Sequence, residues 1–336
     1  MDRRRFLLTW LAGIVAAPLA AGAQQAGKIR RVGMLWNTPL PALEEVLRQG
    51  LLELGWIEGQ NFAFERRYSE GRDDRHPALA AELVGLQPDL IITAGTPAAL
   101  AAKAATTTIP IVFAAVLDPV ESGLVNSLAR PGRNLTGISG AGSGLLLKQL
   151  QVLKEAIPPL SIVGVFINPA FSLHAMLRPE VDVAAGRLGL TLKYIEVRTP
   201  EDVEGAFARL THERLTAVLV LAQPLWFVLR ARLAKLALEN RVATVVPWRE
   251  AAEAGALLAY GELLVDHVRR LPKYIDRILK GAKAAHLPVE QPTTFTLTVN
   301  LKTAKALGLS IPPSLRTSAR SSQSRWFDHG YVGHAP

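Results

Sequence analysis

The sequence predicts an α/β protein of two Rossmann-like lobes, each with a parallel sheet, joined by a multi-segment hinge. Short β-branched or apolar runs alternate with amphipathic stretches, the pattern of parallel strands covered by helices. The alternation is written twice. Val32-Gly33-Met34-Leu35-Trp36-Asn37 is matched by Val163-Gly164-Val165-Phe166-Ile167-Asn168, and Leu54-Gly55 by Leu188-Gly189. The two copies lie about 130 residues apart, too far for a solenoid repeat. The length of 336 residues agrees, since at roughly 150 residues per domain it gives two cores.

In the first half a strand is expected at Arg31–Trp36, then an amphipathic helix from Pro41 to Leu54. A strand at Asn61–Arg67, a helix at Pro77–Leu86 and a buried strand at Leu90–Ala94 follow. Pro97 opens a helix to Ala105, because proline's missing N–H costs nothing in a first helical turn. Ile111–Ala115 reads as a strand and Pro119–Ser127 as a helix. The second half repeats the order, with strands at Ile162–Ile167, Thr191–Val197, Ala217–Leu221 and Val242–Val246. Its helices are expected at Ser172–Leu188, Glu201–Leu210, Leu225–Glu239 and, briefly, Arg249–Ala254.

Pro131–Gly144, rich in Gly, Ser and Asn, reads as a crossing between the halves. Leu257–Gly261 reads as a short strand before a helix at Asp266–Gly281, and Phe295–Asn300 alternates as a half-exposed strand does. The lobes are therefore expected at 28–138 plus 262–287 and at 139–261 plus 288–315. Residues 316–336 are polar and aperiodic and are expected to be a disordered, dispensable tail. Residues 1–23 have the form of a signal peptide. Arg3-Arg4-Arg5 is followed by an uncharged stretch from Phe6 to Ala23, ending in the A-x-A-like Ala21-Gly22-Ala23. The arginine pair followed by Phe6 and Leu7 is similar to a twin-arginine export signal, so a cut before Gln24 and a periplasmic location are expected.

Composition removes several chemistries. The chain has no cysteine, which excludes disulfides, thiolate metal sites, a Cys nucleophile and a lipoprotein anchor. The net charge of +9 is spread without basic runs beyond residue 5, so a nucleic-acid partner is not expected. There is no phosphate-binding G-x-x-x-x-G-K-[ST], no G-x-S-x-G and no H-E-x-x-H. Leu35–Pro41 lacks the glycines a dinucleotide needs at a first βα turn. The seven histidines are scattered and read as surface or loop residues. No catalytic residue, metal site or cofactor is expected.

What remains stands at strand carboxyl ends, where the crevice of an open parallel sheet lies. These positions are Trp36, Asn37, Thr96 and Asp118 in the first half, and Asn168, Gln223 and Trp248 in the second. Tyr260 joins them at the expected crossing. Together they offer aromatic faces, amides, a hydroxyl and one carboxylate, which suits a small ligand with a flat or apolar part and a polar head. Thr96 and Asn168 also fit as helix caps, and Asp118 as an ordinary helix start.

Several stretches resemble one family jointly: Arg48-Gln49-Gly50-Leu51, Leu54-Gly55-Trp56-Ile57-Glu58-Gly59-Gln60-Asn61, Gly95-Thr96-Pro97-Ala98-Ala99 and Leu128-Ala129-Arg130-Pro131-Gly132. Asn168-Pro169, Tyr260-Gly261 and Leu301-Lys302-Thr303-Ala304-Lys305-Ala306-Leu307-Gly308 complete the set. They are similar to those of periplasmic ABC-transporter substrate-binding proteins related to tryptophan and tyrosine binders. The resemblance implies a type I periplasmic-binding fold with a three-segment hinge. It implies capture of a small ligand, an amino acid or a related polar or aromatic molecule, and delivery to a permease and its ATPase. A monomer without catalysis is expected. Gln223 departs from the family, where Asp is frequent. An enzyme on the same scaffold, or a ligand sensor without a transport role, are the alternatives.

Overall fold

The computed structural model describes residues 29–140, 144–291 and 295–318. The expected signal peptide and the tail beyond Ser318 lie outside the described residues. Five parallel strands form the first sheet: β1 (Arg30–Trp36), β2 (Phe62–Tyr68), β3 (Leu90–Ala94), β4 (Ile111–Val116) and β5 (Leu135–Ser139), in the order β2-β1-β3-β4-β5. Helices α1 (Pro41–Glu53), α2 (His76–Gly85) and α3 (Thr96–Ala105) make the connections, α2 after a 3-10 turn at Asp73–Arg75.

After β5 the chain leaves this sheet through α4 (Leu145–Ala156) and builds a second. Its strands are β6 (Ile162–Ile167), β7 (Thr191–Glu196), β8 (Ala217–Val220), β9 (Ala243–Val246), β10 (Leu258–Gly261) and β11 (Thr296–Val299). They lie in the order β11-β10-β9-β8-β6-β7, and β11 alone is antiparallel to its neighbour. The connecting helices are α5 (Ser172–Arg187), α6 (Asp202–His212), α7 (Pro224–Val228), α8 (Arg230–Glu239) and α9 (Arg249–Glu253). Between β10 and β11 the chain returns to the first sheet as α10 (Leu264–Leu279); α11 (Leu301–Ala306) and α12 (Pro313–Ser318) close the second.

Both faces of both sheets are covered, which is why their strands read as apolar runs. On the first sheet, Leu43, Leu47 and Leu51 of α1 share a core with Leu271, Ile275 and Ile278 of α10, while α2 and α3 cover the other face. The ring of Pro272 sits so close to Gly50 that a Cβ there would come within 2.6 Å of it. On the second sheet, α4, α5, α11 and α12 pack one face, and α6, α8 and α9 the other. At about 1.5–3 kcal/mol per fully buried Leu or Ile, these four clusters are what hold the lobes together.

The chain passes between the lobes three times, and two of the crossing segments pair. Ser139 N donates to Glu290 O at 2.9 Å, and Glu290 N to Gly137 O at 3.0 Å. Glycines make the approaches at the ends of β5 and β10 possible. A Cβ on Gly137 would stand 2.0 Å from the Phe113 oxygen, and one on Gly261 2.2 Å from the Pro247 oxygen. Gly261→Ala therefore has to push β9 and β10 apart where they enter the hinge. It is expected to cost about 1–3 kcal/mol in a thermal or urea melt, and an unchanged midpoint would refute the close contact.

Five expectations need correction. Pro119–Ser127 is a run of turns rather than a helix, because Asp118 (φ 35°) and Gly123 (φ 70°) take left-handed conformations. The helix read over Leu225–Glu239 breaks at Leu229 into α7 and α8. Helices α4 and α11 were not expected. His76, His174 and His267 are buried rather than on surface loops. The folded chain also continues past Leu315, which is 3% exposed, to the end of α12.

Candidate functional site at the strand ends

In the first sheet the strand order reverses between β1 and β3, so their carboxyl ends flank the crevice. Trp36 and Asn37 end β1. Their carbonyls accept from Ser69 N at 3.0 Å and Gly71 N at 3.2 Å, which fixes the backbone there. The Trp36 indole Nε1 and both side-chain amide atoms of Asn37 are buried with no hydrogen-bond partner in the protein. Gly95 (φ 86°) turns the chain into α3, and Thr96 follows, 1% exposed. Its Oγ1 accepts from Leu117 N at 3.1 Å, tying the end of β3 to that of β4. Asp118 is exposed, and its Oδ1 accepts from Glu121 N at 2.9 Å.

In the second sheet the reversal falls between β6 and β8. Asn168, at the end of β6, spends its amide locally: Oδ1 accepts from Ala170 N at 2.9 Å and Nδ2 donates to Arg198 O at 3.3 Å. His174 bridges the reversal. Its Nδ1 accepts from Asn168 N at 2.8 Å, so Nε2 carries the proton and faces Ala222 O at 3.2 Å. Burial holds its pKa at about 4, and the bond to Ala222 raises it only partly. Next to Ala222, Gln223 is 1% exposed, and neither atom of its amide has a partner. Buried amides normally cost free energy unless paired, and those of Asn37 and Gln223 have no partner in the protein. Trp248 packs edge-on against Phe227 at 5.7 Å. Tyr260 stacks on Phe295, and its carbonyl accepts from Gln149 Nε2 at 2.8 Å.

The two lobes face each other across a cleft of about 400 Å³. Leu117, Asp118, Glu121 and Ser122 form the wall from the first lobe. The second lobe supplies Leu146 and Gln149 of α4, Leu173, Met176 and Glu180 of α5, and Ala222 and Pro247 at the ends of β8 and β9. Of the eight sequence candidates, Asp118 lines this cleft directly, and Gln223 and Trp248 directly follow residues that do. Trp36, Asn37, Thr96, Asn168 and Tyr260 are not among the residues that line it. The lobes also touch: Asp73 Oδ2 accepts from both N and Oγ of Ser172, the first residue of α5, at 2.8 Å each. Sequence reasoning missed Asp73, Glu121, His174 and Glu180. No local motif marks them: Asp73 and His174 have partners remote in the chain, Glu180 lies in the middle of a helix and Glu121 in a turn.

The model of one family, described as ABC transporter substrate binding protein, matches residues 40–323. The chain belongs to that family. Among curated relatives, a tyrosine-binding protein of Clostridioides difficile (strain R20291) is 24% identical over 326 residues, 91% of this chain and 93% of that one. A solved conserved domain protein from Vibrio cholerae is similar at 28% identity and a TM-score of 0.77, covering 88% of this chain and 99% of its own. An ABC domain from Streptococcus pneumonia, in complex with L-Trp, gives 25% identity and a TM-score of 0.76, with 87% and 99% covered. The two-lobe fold of this substrate-binding family member is thus that of periplasmic binding proteins, as the sequence implied. Among its described residues no helix is long and apolar enough to cross a membrane.

Thr96 and Asp118 separate under mutation. Thr96→Val strips the acceptor from a buried backbone N–H, and is expected to cost about 1–3 kcal/mol in a thermal melt. Asp118→Asn keeps an acceptor for Glu121 N and is expected to leave the melt nearly unchanged while weakening ligand binding about tenfold. A melt unaffected by Thr96→Val would mean that its hydroxyl serves only a ligand.

Proposed function

We infer that the protein is the ligand-capturing component of an ABC importer. It is exported to the periplasm by residues 1–23, closes two lobes on a small molecule and presents it to a permease and its ATPase. It acts as a monomer and without catalysis of its own. The first lobe is 28–138 plus 262–287 and the second is 139–261 plus 288 to the end of α12; the return of α10 to the first sheet supports that division. The observation that carries the reading is the cleft of about 400 Å³ walled by both lobes, with the unpartnered buried amide of Gln223 directly after its lining residue Ala222. A site of that volume suits a molecule of amino-acid size. The names of the relatives, one tyrosine-binding and one holding L-Trp, point to the same size class.

Trp36, Asn37, Gln223 and Trp248 are assigned to the ligand's flat and polar parts, with Thr96, Asn168 and Tyr260 shaping the walls. Ligand bound to both lobes shifts the population to the closed form by its differential affinity. The test is to purify the protein natively from periplasmic extract, denature it and identify what is released by mass spectrometry. A stoichiometric small molecule that contracts the emptied protein in small-angle scattering is expected. Release of nothing, with no contraction by any candidate, would overturn the reading.

A further inference from the structure

We propose that the ligand of the interlobe cleft is an organic cation, an amine on an apolar body that brings no carboxylate of its own. This rests on the cleft being the ligand site. Its ionisable lining is of one sign: Asp118 and Glu121 from the first lobe and Glu180 from α5, with no Lys, Arg or His among the lining side chains. Asp118 and Glu180 each commit one oxygen to a backbone N–H, of Glu121 and of Gly144 (3.0 Å) respectively, which fixes their position on the wall. Ser122 Oγ, buried without a partner, adds a further acceptor.

Three basic side chains that do not line the cleft have contacts of their own. Lys103 Nζ donates to Gly123 O at 2.6 Å, Lys148 Nζ to Gln151 Oε1 at 3.5 Å, and the Arg178 guanidinium lies 4.3 Å over the Tyr194 ring. Among the described residues no Lys, Arg or His lines this wall to receive a ligand carboxylate. Among the described residues no three acids or histidines converge closely enough to hold a metal ion. The negative charge is instead spread along a surface interrupted by Leu117, Leu146, Leu173 and Met176. A spread charge between aliphatic patches fits an ammonium on a hydrocarbon or aromatic body better than a compact inorganic ion.

The same arrangement couples charge to closure. Closing the lobes brings Glu180 toward Asp118 and Glu121, and like charges sharing a partly dehydrated cleft oppose that approach. A positive ligand between them relieves the repulsion, so it stabilises the closed form more than the open one. Gln223, neutral at the end of β8, leaves this work to the opposite walls.

The experiment uses one carbon skeleton at three charges: tryptamine (cation), L-tryptophan (zwitterion) and indole-3-propionate (anion), titrated calorimetrically into the mature protein. A second series uses tyramine and L-tyrosine. The amine is expected to bind at least tenfold more tightly than its amino acid, and the anion not at all. Raising ionic strength is expected to weaken amine binding. Glu121→Gln and Glu180→Gln are each expected to weaken it several-fold with unchanged melting, and the pair to weaken it further. Tighter binding of the amino acids, or indifference to both substitutions, would overturn the proposal. If no member of either series binds, the molecule released from native protein decides: a positive charge on it upholds the proposal, and a neutral or anionic molecule overturns it. That last result would leave the capture of a small ligand standing, whereas release of nothing and closure by nothing would remove that reading itself.

Discussion

Asp73→Ala is expected to weaken ligand binding by about 10–100-fold while leaving the melting point of the ligand-free protein within a few degrees. Asp73 belongs to the 3-10 turn of the first lobe, and its Oδ2 accepts both the backbone N–H and the hydroxyl of Ser172 in the second. Helix α5 has no side-chain cap from its own N-cap residue, Phe171. Its first N–H is satisfied from across the cleft. A carboxylate at a helix N-terminus is favoured by the exposed N–H groups and by the helix dipole. Hydrogen bonds to a charged group contribute about 1.5–3 kcal/mol, and because this pair bridges the two lobes it is expected to form only in the closed arrangement. Its loss therefore falls on the closed state, and apparent affinity falls with the population of that state. Ser172→Ala, which keeps the N–H, is expected to lose less, and the double variant no more than Asp73→Ala. Titration with the molecule released from native protein measures this, and small-angle scattering reports whether the ligand-bound variant still contracts. Unchanged affinity with unchanged contraction would show the contact to be incidental to closure.

Most strands were legible in the sequence because both faces of the sheets are buried. Leu90–Ala94 and Ile162–Ile167 are continuous apolar runs, and their observed bounds are those the pattern predicts. The same criterion misled at Pro119–Ser127. Leu124 and Val125 there are buried like helix residues, but Gly123 turns the backbone left-handed and ends the helical hydrogen bonds. Helix α4 was missed although Leu146, Leu150 and Leu153 keep a helical spacing, because the glycine-rich stretch before it reads as an open crossing. At the site, topology puts the strand-order reversals at the carboxyl ends of β1, β3, β6 and β8, so where a crevice falls was legible. How their side chains are spent was not. Asn168 gives its amide to the adjacent turn, and Thr96 its oxygen to Leu117. Asp73 finds its partner 99 residues away, in the other lobe. Such pairings depend on how two lobes meet, which no local periodicity encodes.

Acid is expected to destabilise the protein through His174 between pH 6.5 and about 4, and His174→Gln to flatten that part of the profile. The imidazole is 2% exposed, and burial lowers its pKa from 6.5 to about 4. In that interval the unfolded chain binds a proton that the folded chain refuses, so stability rises with pH. The contribution is complete above pH 6.5 and is lost as pH falls toward 4, to a total of about 3 kcal/mol. Burial disfavours the charged imidazole, and protonation also puts a hydrogen on Nδ1, where the Asn168 N–H already points, so the bond to the end of β6 is lost with it. His76, also lowered by burial, adds a slope of the same sign, while Glu250, raised by burial, adds the opposite. Comparing variant with wild type cancels both. His174→Leu is expected to cost about 2–4 kcal/mol at neutral pH, because it strands the Asn168 N–H and the Ala222 carbonyl. Urea melts at half-unit steps from pH 4.5 to 7.5 give both quantities. Parallel profiles for wild type and His174→Gln would mean that the imidazole titrates normally. A neutral-pH loss below about 1 kcal/mol for His174→Leu would mean that the Asn168 N–H and the Ala222 carbonyl are satisfied without the imidazole.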